Sequence, residues 1–174
     1  QTLEGVPAFI NGGPFANIAH GCNSLVATKL ALKASEYVIT EAGFGADLGA
    51  EKFFDIKCRQ GHLKPDLVII TLTCRALKRQ SGVNKEELSK ISVKSVKNGL
   101  PNLERHLKSL NNYGIPTIVA LNLRSEDSKE EVQAVIDHCN EMGVEISVAD
   151  LWGKGGMGGV DLAKKAVKAS QKRS

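Results

Sequence analysis

Short apolar runs alternate with helix-period segments along the whole chain, and this alternation restricts the fold more than any other feature of the sequence. Residues 8–10 read as a strand halted at Gly12-Gly13-Pro14, and residues 37–40 as a second. Residues 67–72 are apolar but for one threonine, the pattern of a strand covered on both faces. Residues 117–121 and 145–148 supply two more. Between them a helix starts near Asn23, with Leu25, Val26, Leu30 and Leu32 on or near one face, and a helical stretch runs through Phe53 and Phe54. Leu100, Leu103, Leu107 and Leu110 mark an amphipathic helix ended by Gly114 and Pro116. Ser128-Lys-Glu-Glu131 is a capping box that launches a helix with Val132, Val135, Ile136 and Cys139 inward and Gly143 as its stop, and a last helix begins at about Gly159. The polar stretch 79–98 reads as a long excursion. Strands alternating with helices predict one α/β domain over residues 1–174, with a mainly parallel sheet of about five strands flanked by helices.

Composition narrows the function classes. The net charge of +4 is mild, and most basic residues alternate with acidic ones on helix faces, the pattern of solvated surface rather than of a nucleic-acid patch. The one basic cluster, Lys164, Lys165, Lys168, Lys172 and Arg173, closes the chain. Cys22, Cys58, Cys74 and Cys139 are widely spaced without a Cys-x-x-Cys pair, so reduced thiols in a cytoplasmic or organellar interior fit better than a disulfide framework or a zinc site. No apolar run approaches the roughly twenty residues of a membrane span, and no signal peptide is visible. A chain that opens on Gln1 is expected to be a fragment, a processed product or a trimmed piece.

Ligands of open parallel sheets bind beyond the carboxyl ends of the strands. The segments that follow the predicted strands are 11–21 with His20, 41–47 with Glu41, Phe44 and Asp47, 73–78 with Arg75 and Lys78, 122–127 with Asn122 and Arg124, and 150–156 with Trp152, Gly155 and Gly156. Glycines let backbone approach a ligand, helix starts offer N–H groups to anions, and Arg75 and Lys78 add positive charge. Glu41 and Asp47 suit the orienting of a proton-bearing group or a metal. Each residue also has a structural reading. His20 serves equally as a helix cap, Glu41 and Asp47 as acceptors in a tight turn, Arg75 and Lys78 as surface charges, Trp152 as core, and the run 153–159 as a connection.

Two motifs are excluded. Gly43-Phe-Gly45-Ala-Asp-Leu-Gly49 imitates a dinucleotide fingerprint, but its third glycine comes one residue late and it follows the second predicted strand. No G-x-x-x-x-G-K-[ST] phosphate loop occurs in the 174 residues, and the run 153–159 holds Lys154 in the wrong order for one.

Gln1-Thr-Leu-Glu-Gly5, Pro14-Phe-Ala-Asn-Ile-Ala-His-Gly21, Thr40-Glu-Ala-Gly-Phe-Gly-Ala-Asp47, Glu51-Lys-Phe53, Lys57-Cys-Arg59, Arg75-Ala-Leu-Lys78 and Trp152 with its following glycines occur in order over essentially the whole chain. Together they resemble the formate–tetrahydrofolate ligases, also called 10-formyltetrahydrofolate synthetases. The resemblance implies a nucleotide-hydrolase-like α/β core and ATP-dependent joining of formate to tetrahydrofolate through formyl phosphate. It also implies Mg2+ with the ATP, an assisting monovalent cation (K+ or NH4+), a homotetramer, and a cytoplasmic or organellar-matrix enzyme without nucleic-acid or membrane partners. The chain would correspond to the middle of such a polypeptide, with the phosphate loop upstream and no turnover on its own. A non-catalytic folate- or nucleotide-binding assembly domain derived from the ligase is the alternative.

By the same resemblance His20 contacts or orients the reacting groups, Arg75 with Lys78 meets anionic ligand groups, and Trp152 stacks on an aromatic ring. Three positions depart from the family pattern. Arg79-Gln80-Ser81-Gly82 stands where Met-His-Gly-Gly is usual, Cys74 where valine is usual, and Leu123-Arg124 where a small residue and phenylalanine are usual. Arg124 exchanges a flat apolar surface for a charged one, although guanidinium planes also stack.

Overall fold

The computed structural model describes residues 1–10 and 22–171, and the chain divides into two compact units, Gln1–Lys64 and Pro65–Ser174. In the first unit Ser24 caps helix α1 (Leu25–Ala34) by accepting the Ala27 N–H. π-Helical turns at Ala46–Ala50 and Phe53–Cys58 then run into the short α2 (Arg59–Gly61). Phe53 and Phe54 are buried and meet edge to face at 5.6 Å between centroids. The stripe expected inward on α1 instead faces out: Val26, Leu30 and Leu32 are exposed, and the buried residue is Thr28. The cause is polar. Thr28 donates to Asn23 Oδ1 at 3.0 Å and accepts from the buried Lys57 ammonium at 2.9 Å, while Lys57 also donates to Asn23 Oδ1 at 2.8 Å. A buried ammonium needs these acceptors, and they lie on the Thr28 face.

Residues 8–10 and 37–40, expected as strands, belong to no β-ladder, and Ile10 and Ile39 are exposed. A short apolar run becomes a strand only where a neighbour pairs with it and a face is buried. Among the described residues the sheet therefore has three strands rather than about five.

All three strands belong to the second unit: β1 (Val68–Leu72), β2 (Thr117–Asn122) and β3 (Glu145–Ala149), parallel and in the order β1-β2-β3. Helices α3 (Cys74–Gln80) and α4 (Val93–Asn111), with a 3-10 turn at Lys85–Glu87, connect β1 to β2, and α5 (Lys129–Glu141) connects β2 to β3. The short α6 (Leu151–Lys154), a 3-10 turn at Gly155–Gly159 and α7 (Val160–Gln171) complete the chain. The register puts Ile70, Leu72, Val119, Leu121, Ile146 and Val148 on one face, against Leu77, Val96, Leu100, Leu103, Leu107, Val135 and Cys139. On the opposite face α7 packs on β2 and β3. The strand covered on both faces is the central β2, whereas β1, for which this was expected, lies at the edge of the sheet among the described residues, with Thr71 exposed. The α/β class and its parallel sheet hold.

Glu131 does more than close the capping box. One carboxylate oxygen accepts the Ser128 N–H at 3.0 Å. The other accepts the Ser92 N–H at 2.8 Å and the Lys78 ammonium at 3.1 Å. The starts of α4 and α5 and the body of α3 therefore meet on a single carboxylate. Burial pushes Glu131 up, but these N–H groups and the ammonium outweigh it and hold the carboxyl below its usual range.

Candidate functional site

Three loops leave the carboxyl edge of the sheet. After β1, Thr73 caps α3 by accepting the Ala76 N–H at 3.0 Å, which fixes the turn that carries Arg75. Arg75 donates to Ser89 Oγ at 3.0 Å and lies 3.9 Å from Glu126 Oε1. After β2, Asp127 accepts the Arg124 N–H at 2.9 Å and closes a tight loop. In that loop the Arg124 guanidinium donates to the same Glu126 Oε1 at 2.8 Å. After β3, Asp150 accepts the Gly153 N–H at 3.1 Å, donates its own N–H to the Gly158 carbonyl at 3.2 Å, and pairs with Lys154 at 3.6 Å. A Cβ on Gly158 would collide with the Asp150 carbonyl. The run 153–159 is therefore a folded pair of helical turns, and it carries Gly155, at φ +55°, and Gly156.

Charge at this edge is mixed. The hydrogen bond from Arg124 holds the Glu126 carboxyl below the usual carboxylate range, and Glu126 in turn raises the Arg124 guanidinium. Burial pushes Asp127 up, and its Oδ1 is buried without a hydrogen-bond partner among the described residues. Burial, reinforced by the Asp127 and Glu131 charges, pushes the Cys74 thiol up to about 12.

The predicted site residues are distributed unevenly. Arg75 stands at the edge, and Asn122 ends β2 in register with Ala149. Trp152 lies three residues beyond Ala149 and is 93% exposed, which removes its reading as core. Lys78 is fully buried, its ammonium on Glu131 and on the Lys90 carbonyl at 3.1 Å, so its charge is directed into the fold. Glu41, Phe44 and Asp47 belong to the first unit. Glu41 and Asp47 are exposed, and Phe44 takes the left-handed conformation (φ +66°) between Gly43 and Gly45. His20 lies outside the described residues. Reading the sequence missed Glu126 as a partner of both arginines. The only available signal was its place in the loop after a buried strand.

The model of one protein family, described as formate–tetrahydrofolate ligase, matches residues 1–174, the whole chain. The chain belongs to the formate–tetrahydrofolate ligase family. Its parallel α/β unit with charged residues and one tryptophan at the carboxyl edge accords with a ligase acting on formate, tetrahydrofolate and ATP in one-carbon metabolism. No helix among the described residues is long and apolar enough to cross a membrane. Nor do they contain a group of three or more His, Cys, Asp or Glu side chains arranged to hold a metal ion.

Proposed function

We propose that this chain forms the folate- and anion-facing part of an ATP-dependent ligase that makes 10-formyltetrahydrofolate through formyl phosphate. The observation that carries the reading is Trp152, an almost fully exposed indole at the carboxyl edge of the same sheet that presents Arg75. An exposed indole is unfavourable in water and suits an aromatic ring stacked on it. In this reading Trp152 stacks on the folate, Asn122 contributes to substrate binding, and Gly155 and Gly156 offer backbone N–H groups to an anionic group. Glu41, Phe44 and Asp47, in the first unit, are substrate-binding residues on the family resemblance alone. Arg75 stabilises charge developing on a transferred phosphoryl or formyl oxygen, the main requirement of phosphoryl chemistry. His20 orients the reacting groups, and Lys78 acts through α3 by fixing the turn that holds Arg75. ATP turnover needs a phosphate-cradling segment beyond these 174 residues, and the chain alone binds without turning over. The four free thiols support a reducing compartment, the cytoplasm or an organellar matrix. Exposed Leu3, Val26 and Ile39 support assembly with further copies, a tetramer on the family pattern.

Trp152 is the only tryptophan, so its fluorescence reports on one place. Tetrahydrofolate should quench it saturably, and Trp152→Leu should weaken calorimetric binding about tenfold, the scale of one aromatic stacking contact. Binding of tetrahydrofolate without any change in Trp152 emission would move the folate site away from this edge. Binding of neither tetrahydrofolate nor ATP would leave only an assembly role.

A further inference from the structure

Two guanidinium groups converge on one carboxylate oxygen at the edge of the sheet. Glu126 Oε1 lies 2.8 Å from Arg124 Nε and 3.9 Å from the Arg75 guanidinium, while Ser125 donates to Oε2 at 3.3 Å. The three side chains are 50%, 32% and 24% exposed for Arg124, Arg75 and Glu126, so solvent and small solutes reach them. An anion between two guanidinium groups offsets their mutual repulsion, and here the chain provides that anion itself. Among the described residues the side-chain hydrogen bond of Arg75 goes to Ser89. Each guanidinium carries five N–H donors, and the bonds to Ser89 and Glu126 use few of them among the described residues. The contact at 3.9 Å is also beyond hydrogen-bond length, so Glu126 takes one hydrogen bond from Arg124 and meets Arg75 by charge alone.

We propose that Arg75 and Arg124 form a two-guanidinium clamp for an oxyanion of the ligand, and that Glu126 is an internal stand-in which that oxyanion displaces. The inference rests on the carboxyl edge of the sheet being the ligand side, and it assigns Arg124 a role the family resemblance does not provide. Arg124 replaces a stacking surface with a second fork for a carboxylate or phosphoryl group, both of which match a guanidinium bidentately. Glu126 then sets the affinity. While it occupies the clamp, weak anions are excluded. A ligand tethered by further contacts, or one carrying more charge, displaces it. No bond is made or broken, and the Glu126 side chain turns outward into solvent.

The test uses the whole chain, labelled with 15N, and follows the arginine Nε–H resonances during titration with inorganic phosphate and, separately, with glutarate at constant ionic strength. Glu126→Gln keeps the side-chain shape and removes the competing charge, and it should bind at least one probe about fivefold more tightly than the unaltered chain, the scale of an exposed ion pair. Adding Arg124→Leu should abolish that gain. Arg124 and Glu126 are both part-exposed, so neither change threatens the fold. A response to phosphate alone identifies a phosphoryl ligand, and a response to glutarate alone identifies a carboxylate. The proposal is overturned if Glu126→Gln binds neither probe more tightly, or if the gain survives the loss of Arg124. Failure of tetrahydrofolate to bind the unaltered chain would remove the folate reading and leave this outcome standing.

Discussion

The Lys78 ammonium meets Glu131 Oε1 at 3.1 Å with both side chains completely buried. Such a pair contributes little net stability as a unit, but removing one partner strands the other in a low-dielectric interior. Glu131→Ala leaves the ammonium unpaired and also orphans the Ser92 and Ser128 N–H groups, so it should cost about 3–5 kcal/mol in urea denaturation. Lys78→Met leaves a carboxylate that still accepts two N–H groups and should cost less. The double variant should lose less than the sum of the two. Strict additivity would show that the pair is not coupled.

The same residues show how far the sequence could be read. The Ser128–Glu131 capping box was legible because both halves lie within one turn, and the leucine spacing of α4 and the apolar run of β2 were legible for the same local reason. The third and fourth bonds of Glu131, to Ser92 and Lys78, join residues 39 and 53 positions apart, and no local pattern encodes them. Lys78 therefore read as a ligand-facing cation. In the first unit the two short apolar runs looked like strands because strand propensity describes fit to a neighbour, and no neighbour is visible in a single run. The outward turn of Val26, Leu30 and Leu32 was hidden because a polar cluster, Asn23, Thr28 and Lys57, decides which side of α1 is buried. At the edge of the sheet, the segments that follow each predicted strand already held Arg75 and Trp152. The convergence of Arg75 and Arg124 on Glu126 depends on loop geometry and was not legible.

Gly99 lies where α4 crosses α3, and a Cβ there would collide with the Leu77 carbonyl. Alanine normally favours helix over glycine by roughly 1 kcal/mol, so the sign of this substitution is diagnostic. Gly99→Ala should destabilise by about 1–3 kcal/mol, because backbone atoms cannot yield as a flexible side chain does. A gain in melting temperature would show that the two helices separate freely.

Asn23 Oδ1 accepts from Lys57, Thr28 and Thr40 at 2.8, 3.0 and 3.3 Å. Burial pushes the Lys57 ammonium down, so the charged form is held against a desolvation penalty. Lys57→Met removes charge and penalty together and should leave stability within about 1 kcal/mol. Asn23→Ala keeps the charge and removes its principal acceptor, and should cost about 1–3 kcal/mol. Hydrogen exchange of the α1 amides distinguishes the two changes without requiring both units to unfold together. Equal loss of protection in both variants would refute the asymmetry.

Alkali should unfold the second unit through its thiols. Burial pushes Cys74 up to about 12 and Cys139 up to about 11, both from 9.0, and the Asp127 and Glu131 charges add to the Cys74 shift against Lys78. Above pH 9 the unfolded chain releases these protons while the folded one retains them, so the folded state binds more protons and stability falls as pH rises. The contribution is complete below pH 9 and is lost progressively, up to about pH 11 for Cys139 and about pH 12 for Cys74. At pH 10.5 each thiol should have withdrawn roughly 2 kcal/mol. Lys57, in the first unit, works in the opposite direction, because a depressed ammonium makes stability rise with pH as that group loses its proton. The measurement should therefore follow amides of β2 and α5. Cys139→Ala should lower stability at pH 7 by about 1 kcal/mol through the small cavity it leaves, and should also flatten the decline between pH 9 and 11. An unchanged slope in that variant would assign the alkaline loss to other groups.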